Sequence, residues 1–338
     1  NQHPLLTHLF QKSVKRNTTS TSKDRYGILS MSPEGHCDFL DKEKLCGIQR
    51  VLGASALCAT CATYPRTANR FGAQMEYSLQ LSCPEAVRLA LLNSEPIRFS
   101  NVPSDPVISQ SGPILRQIPE TNEGDPQKIA ILNDLRALVI GILQHRELSI
   151  DARLMVLGLL TETATTTLGK NFAQIDKLPS VIENFTGMLS HSASIQDEFD
   201  RIQPNPTLKL SIFSAAMNSP AALSLGANQR FRECLSEAME GLLRDSGKPD
   251  SEQALIERYT HAYQRYFYPF FTENAHILEN YLVHSVFQSL FPYRNSDLLL
   301  QFRELICNYL LARIFLTCMA MFHQKIDNEM VVRFFQSF

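Results

Sequence analysis

Five of the eight cysteines in this 338-residue chain fall between residues 37 and 83. They are Cys37, Cys46, Cys58, Cys61 and Cys83, and their spacing is irregular apart from the short Cys58-x2-Cys61 pair. Soft metal ions prefer thiolate ligands, and a bound metal neutralises charges that would otherwise repel one another. A chain of this length buries a large core without covalent staples, so disulfides are not needed for stability. The pattern therefore predicts an inorganic centre in this region.

The spacing also bears on the kind of centre. Structural zinc sites usually pair two short Cys-x2–4-Cys knuckles, and this region contains only one. An iron-sulfur cluster tolerates wider spacing because its own sulfides set the geometry. From spacing alone a cluster is favoured, with zinc and the absence of any metal as the alternatives. His36 is a further candidate ligand, although a loop histidine beside a glycine is more often exposed to solvent.

Composition indicates a soluble globular protein, with 44% hydrophobic residues, 20% charged residues and a formal net charge of −2. Nothing in this balance points to a nucleic-acid partner. The most apolar stretch, residues 305–322, carries Asn308 and Arg313, which favours a buried helix with a polar side over a membrane span. Because the cysteines are clustered rather than spread as in a secreted scaffold, we expect a reducing compartment, and we expect no membrane attachment. The start lacks both an initiator Met and a signal-peptide pattern, so we expect the chain to begin partway into a longer protein.

Local patterns divide the chain into four parts. Residues 1–30 are predicted to be a polar loop or mobile segment, residues 31–93 a cysteine-rich cluster module, and residues 94–126 a proline-rich strap without regular elements. Helical periodicity dominates residues 127–338. The predicted fold is mainly α, an irregular helical bundle with a small cysteine-rich metal-binding module near the N-terminus.

Three local signals inside these parts are specific. The alternation in AQMEYSLQLSC predicts one strand, and Pro84 after Cys83 suits the first turn of a helix. Ser149 is predicted to cap a helix that ends at Gly169.

The cysteine region also resembles a known family, the flagellin lysine-N-methylases. The resemblance lies in GHCDFLDKEKLCGIQRVLGASALCATCATYPR (residues 35–66), in SLQLSCPE (residues 78–85) and in HILENYLVHSVFQSLFPY (residues 276–293). It implies a cytoplasmic enzyme that transfers methyl groups from S-adenosylmethionine to the ε-amino groups of surface lysines on flagellin. It also implies a [4Fe-4S] cluster and a further cysteine-rich segment ahead of the part seen here. The family's cysteine positions correspond to Cys37, Cys46, Cys61 and Cys83, whereas Cys58 has no counterpart.

The reaction implied by this resemblance sets a chemical requirement. Lysine must attack the sulfonium methyl as a neutral amine, and only on the order of one lysine in a thousand is neutral at pH 7. The enzyme must therefore lower the lysine pKa or accept its proton. Within the third matching segment, Glu279 and Tyr281 are the predicted catalytic residues, expected to point toward a cleft. Tyr64 and Arg66 are the predicted cofactor-binding residues, since a guanidinium can hold the carboxylate of the cofactor's methionine.

Alternatives remain at the level of mechanism and function. The chain contains neither a Cys-x3-Cys-x2-Cys triplet nor a Gly-x-Gly-x-x-Gly loop after a strand, so polar transfer beside an organising cluster is preferred over a radical reaction or a doubly wound methyltransferase fold. The competing functions are a non-catalytic zinc- or cluster-binding interaction protein and a redox sensor.

Overall fold

The structure is a computed structural model. It describes residues 4–19, 26–33, 36–43, 45–71, 74–103, 114–118, 126–169, 172–203, 205, 207–208, 211, 229–243, 251–294 and 297–338. Helices dominate these residues, which confirms the mainly α prediction. The boundaries of the four predicted parts stay a prediction.

The N-terminal part is small and mixed in structure. Its helices are α1 (Pro4–Ser13), α2 (Gly47–Leu52), α3 (Ala59–Thr63) and α4 (Pro84–Leu91). Its strands are β1 (Val14–Arg16), β2 (Gly27–Leu29), β3 (Arg66–Phe71) and β4 (Gln74–Leu79). Strand β4 confirms the single strand predicted there, and Pro84 begins α4 as predicted. Residues 1–30 form the predicted polar loop only in part, because α1 and the antiparallel β1–β2 pair occupy much of this range.

A second difference lies in the proline-rich strap. Strand β5 (Ile114–Ile118) runs parallel to β3 and completes a three-stranded sheet in the order β4-β3-β5. The prediction that this stretch holds no regular element was therefore wrong. The sequence of β5 itself, ILRQI, contains no proline, so every residue of the strand has a backbone amide. Residues 104–113 and 119–125 lie outside the described residues.

The C-terminal part consists of helices. They are α5 (Pro126–Leu143), α6 (Ile150–Leu168), α7 (Leu178–Leu189), α8 (Ser192–Asp200), α9 (Gln229–Leu243), α10 (Glu252–Ala262), α11 (Tyr268–Glu273), α12 (Ala275–Gln288), α13 (Leu298–His323) and α14 (Asn328–Phe335). Ser149 caps α6 by accepting from the Ala152 amide, and Gly169 follows its last residue, both as predicted. A π-helical turn, Tyr263–Phe267, joins α10 to α11.

One large core spans these helices and reaches α4. Phe231, Phe315 and Phe334 are among its largest fully buried side chains. A second, small core formed by Leu6, Phe39 and Ile48 lies against Cys37 and Cys46. The N-terminal module therefore has its own apolar support.

Helix α13 is long and apolar enough to cross a membrane by length and composition, and 56% of its most apolar window is buried inside the protein. Its Arg313 is buried and donates to Asp151 and to the Tyr263 hydroxyl. The helix thus has the buried position and polar side that its sequence predicted.

Helices α9 and α13 approach each other most closely at Gly241. A Cβ atom at this position would lie 2.2 Å from the Cys318 carbonyl oxygen. We expect Gly241→Ala to lower the free energy of unfolding by about 1–3 kcal/mol or more, because the helix backbones must separate. Gly141→Ala in α5 is the matched control, since nothing lies within 4 Å of its Cβ, and it should raise stability by about 0.4–1 kcal/mol. Urea unfolding of both variants is the measurement, and equal effects would contradict the packing argument.

Candidate functional site

The loops and short helices of the N-terminal part carry four of the five clustered cysteines. Cys46 directly precedes α2 and pairs with Leu40 through an isolated β-bridge, while Cys37 pairs in the same way with Met31. Cys58 occupies the N-cap position of α3, and Cys61 lies within that helix. Two short loops and one helical turn therefore carry these cysteines.

The surroundings of Cys61 shift the pKa of its thiol. Desolvation raises the pKa of Cys61 to about 12, a hydrogen bond with Cys58 adds to this, and the charges of Cys58, Cys37 and Cys46 act in the same direction. Thiolates here repel one another, and a bound cation would remove that repulsion. Across the described ranges, however, no group of three or more histidine, cysteine or acidic side chains is arranged to hold a metal ion.

Cys83 occupies a different position from the other predicted ligands. It is the N-cap residue of α4, and it is not among the strongest influences on Cys61. Ser82, the residue before Cys83, forms a hydrogen bond of 3.3 Å between its hydroxyl and the hydroxyl of Tyr64, three residues after Cys61. Cys58, which the resemblance had left out, is therefore the hydrogen-bond partner of Cys61, and the set of four ligands stays a prediction.

The predicted cofactor-binding residues follow directly after α3. Tyr64 is 46% exposed. Arg66 is exposed, begins β3 and lies opposite Leu79 in the β3–β4 ladder. Within the described part of the chain, no ion-pair partner of Arg66 is found. Both side chains are therefore available to a bound molecule, and their cofactor role stays a prediction.

A cavity of about 1100 Å³ opens beside β4. Its walls are β4, the end of α4, residues 93–102 and two residues of α12, His284 and Phe287. Strand β4 is an edge strand of the described sheet, so its outer edge faces this space. Phe99 and Phe287 meet in the wall with ring centroids 4.8 Å apart.

Helix α12 holds the cavity walls through polar side chains. His284 Nε2 lies 2.8 Å from the Leu79 carbonyl oxygen, and the Gln288 amide donates to the same carbonyl. Asn280 is fully buried and donates to the carbonyl of Asn93 at 2.8 Å. One helix therefore fixes both β4 and the start of the 93–102 segment.

The predicted catalytic residue Glu279 belongs to the same helix but does not face a cleft. Its carboxylate is 2% exposed, receives hydrogen bonds from Arg153 at 2.8 Å and from Arg146 at 2.8 and 3.1 Å, and lines no described cavity. Arg146 also donates to the Ser94 carbonyl at 2.9 Å. Glu279 thus joins α12 to α6 and, through Arg146, to the cavity wall. The expectation that the Glu279 carboxylate faces a cleft is corrected, because its oxygens accept hydrogen bonds from Arg146 and Arg153.

The other predicted catalytic residue, Tyr281, is also turned inward. Its ring packs on Phe335 with centroids 4.7 Å apart, and burial raises the pKa of its phenol to about 12. The expected orientation toward a cleft is corrected here as well. A catalytic role for either residue stays a prediction.

The sequence argument did not single out His284 or the 93–102 segment. Burial lowers the pKa of His284, and the hydrogen bond to the Leu79 carbonyl opposes this only in part, so the imidazole is neutral near pH 7. A histidine in an apolar stretch of helix was the available signal. Its partner is 205 residues away, so no local pattern revealed the contact.

Comparison with known proteins finds a family and several relatives. The family model described as FliB lysine N-methylase C-terminal domain matches residues 136–338. The lysine-N-methylases of Salmonella typhimurium (strain LT2) and Salmonella choleraesuis (strain SC-B67) are each 25% identical over 232 residues, which is 65% of this chain and 53% of the relative. The flagellar biosynthetic protein FliU of Salmonella muenchen is 43% identical over 51 residues, 15% of this chain and 30% of that protein.

The chain thus spans about half the length of the lysine-N-methylases it matches. No solved structure matches it. The family match covers more than half of the chain and contains helices α6 to α14 and the end of α5, from residue 136 on. The chain therefore belongs to the FliB lysine N-methylase family.

Proposed function

We propose that the chain is part of a protein-lysine methyltransferase that transfers methyl groups from S-adenosylmethionine to surface lysines of flagellin in the cytoplasm. The observation that carries this proposal is the family match over residues 136–338, which includes helix α12 and its contacts with the cavity. The flagellar name of the relative from Salmonella muenchen supports flagellin as the protein substrate.

We further propose that the cysteine module binds a [4Fe-4S] cluster. Cys37, Cys46 and Cys61 are the ligands common to the sequence prediction and to the grouping of thiols around Cys61. Cys83 is the predicted fourth ligand, and Cys58, which shares a hydrogen bond with Cys61, competes for that role. A cluster here would order the loops that carry Tyr64 and Arg66, the proposed contacts for the cofactor's methionine carboxylate.

One observation favours a second candidate, a non-catalytic zinc module. Four thiols that act on one another suit a tetrahedral zinc site, which needs only cysteine ligands. Purification of the full-length protein without oxygen, with iron, sulfide and zinc counted per chain, separates these cases. Transfer of labelled methyl groups from S-adenosylmethionine to flagellin tests the activity in the same preparation. Zinc without iron, together with no transfer, would favour the second candidate.

Single cysteine substitutions test the ligand set. We expect Cys61→Ser to remove most of the bound iron and the visible absorption, because a missing thiolate opens the cluster. Cys58→Ser and Cys83→Ser identify the fourth ligand, since only one of them should lose iron. Cys307→Ser is the control, because Cys307 is exposed on α13, outside the module. Retention of full iron content in Cys61→Ser would contradict the assignment.

A further inference from the structure

The cavity beside β4 has the shape and chemistry of a site for a slender, apolar side chain with a basic end. Its volume of about 1100 Å³ is ample for a lysine side chain and its methyl donor. Aromatic rings line it at Tyr77, Phe99 and Phe287. These rings offer apolar contact to the lysine methylenes and attraction to a cationic nitrogen or sulfur.

The acidic side chains of the cavity wall each lie beside an arginine. Glu76 accepts two hydrogen bonds from Arg136, at 2.7 and 2.9 Å, and that guanidinium also lies over the Phe287 ring at 4.6 Å. Glu95, the other acidic residue of the wall, is exposed beside Arg98. The inner part of the cavity therefore presents no unpaired carboxylate among the described residues. Such surroundings favour a neutral amine over an ammonium.

His284 supplies a proton acceptor at this inner part. Its Nε2 atom contacts a carbonyl oxygen, which accepts hydrogen bonds only, so the proton of the neutral ring lies on Nε2. The lone pair is then on Nδ1. His284 is 8% exposed and lines the cavity. Burial lowers the pKa of His284, so the ring is neutral near pH 7 and the Nδ1 atom carries a lone pair.

The cavity also adjoins the module that carries the predicted cofactor contacts. Leu79, the residue that His284 contacts, lies opposite Arg66 in the β3–β4 ladder. The next residue, Gln80, donates to the Pro65 carbonyl at 2.7 Å. The backbone of Arg66 is therefore one strand away from the His284 end of the cavity.

We propose that this cavity is the methyl-acceptor site, that it takes the lysine side chain of a protein segment, and that His284 Nδ1 accepts the lysine proton. This inference rests on the proposed methyltransferase function. The lysine ammonium gives a proton to Nδ1 and becomes a neutral amine. Its nitrogen lone pair forms a bond to the methyl carbon of the sulfonium donor while the carbon–sulfur bond breaks and sulfur keeps the electron pair. The products are a methylated ammonium and a neutral thioether, and the imidazolium returns its proton to water.

Substitution of His284 by Gln tests the proton transfer. Gln keeps a donor to the Leu79 carbonyl and removes the base, so we expect methyl transfer to fall on the order of 100-fold or more at pH 7. The loss should shrink as the pH rises, because solution then supplies neutral lysine, whereas a merely structural defect would persist at every pH. A His284→Gln variant with the parent rate at pH 7 would overturn the assignment of the base. Absence of transfer by the parent protein would instead overturn the proposed function.

A binding measurement tests the acceptor site independently of activity. The chain contains no tryptophan, so Phe99→Trp places a single fluorescent reporter in the cavity wall. We expect a saturable change in fluorescence with a synthetic peptide that contains one lysine, and a weaker response to the same peptide with norleucine in its place. Leu159→Trp is the control, because Leu159 is similarly exposed but lies on α6, outside the cavity. Equal responses of the two reporters, or no preference for lysine over norleucine, would overturn the acceptor site.

Discussion

Glu279→Ala is expected to lower the free energy of unfolding by about 3–5 kcal/mol, because it leaves a buried guanidinium without its counter-charge. The Arg153 side chain is 5% exposed, and its Nη1 atom lies 2.8 Å from the Glu279 carboxylate. Burial lowers the pKa of Arg153, and the hydrogen bond and charge of Glu279 oppose this shift. Arg146 is 44% exposed and recovers water when the carboxylate is removed. Most of the loss should therefore come from Arg153, and urea unfolding of the parent and the variant measures it.

The conservative variant Glu279→Gln separates a structural role from a catalytic one. Gln retains an oxygen that accepts from one arginine, so it should be less destabilising than Ala. If Glu279 only positions the wall, the folded Gln variant should keep kcat near that of the parent; if it acts in the chemistry, kcat should fall sharply. Glu198→Ala is the control, because it removes a surface ion pair with Arg201. We expect it to change the free energy of unfolding by only about 0–1 kcal/mol. An Ala variant as stable as the parent would contradict the structural interpretation.

Elements governed by local signals were predictable from the sequence. The hydroxyl of Ser149 satisfies a free amide in the first turn of α6, and Gly169 follows that helix at a φ of 64°, a conformation that costs glycine little. Arg313 inside an apolar stretch indicated a buried helix with a polar side, which α13 is. In each case the physical cause lies within a few residues or within one helix.

Elements governed by distant contacts were not predictable in the same way. Strand β5 exists because β3, more than 40 residues earlier, offers it a parallel partner, and parallel pairing leaves no local turn signal. The same holds for the site: Glu279 meets Arg146 and Arg153 across 133 and 126 residues. Spacing on one helix cannot tell a cleft-facing carboxylate from one that is paired inside. The cysteine spacing predicted a shared centre, which stays a prediction, and it gave no means to choose between Cys58 and Cys83 as a ligand.

Breaking the ion pair between Asp151 and Arg313 is the second change for which we expect a large loss of stability. The loss should depend on which of the two residues is replaced. The Arg313 side chain is 7% exposed, whereas that of Asp151 is 40% exposed. Asp151→Ala leaves a buried guanidinium held only by hydroxyl groups and aromatic rings, so we expect a loss of about 3 kcal/mol. Arg313→Met keeps much of the side-chain volume and leaves a carboxylate that water reaches, so its loss should be smaller.

The double variant Asp151→Ala/Arg313→Met completes this test. Once the guanidinium is gone, removal of Asp151 no longer leaves a buried charge without its counter-charge, although the Tyr309 hydroxyl and the first turn of α6 still lose a partner. The double variant should therefore be close in stability to Arg313→Met alone, and the cycle should show strong coupling between the two residues. Additive losses in urea unfolding would mean that Arg313 is stabilised by its aromatic surroundings rather than by Asp151. The polar side of an otherwise apolar α13 would then serve the packing of Tyr263, Phe267 and Tyr309 around the guanidinium.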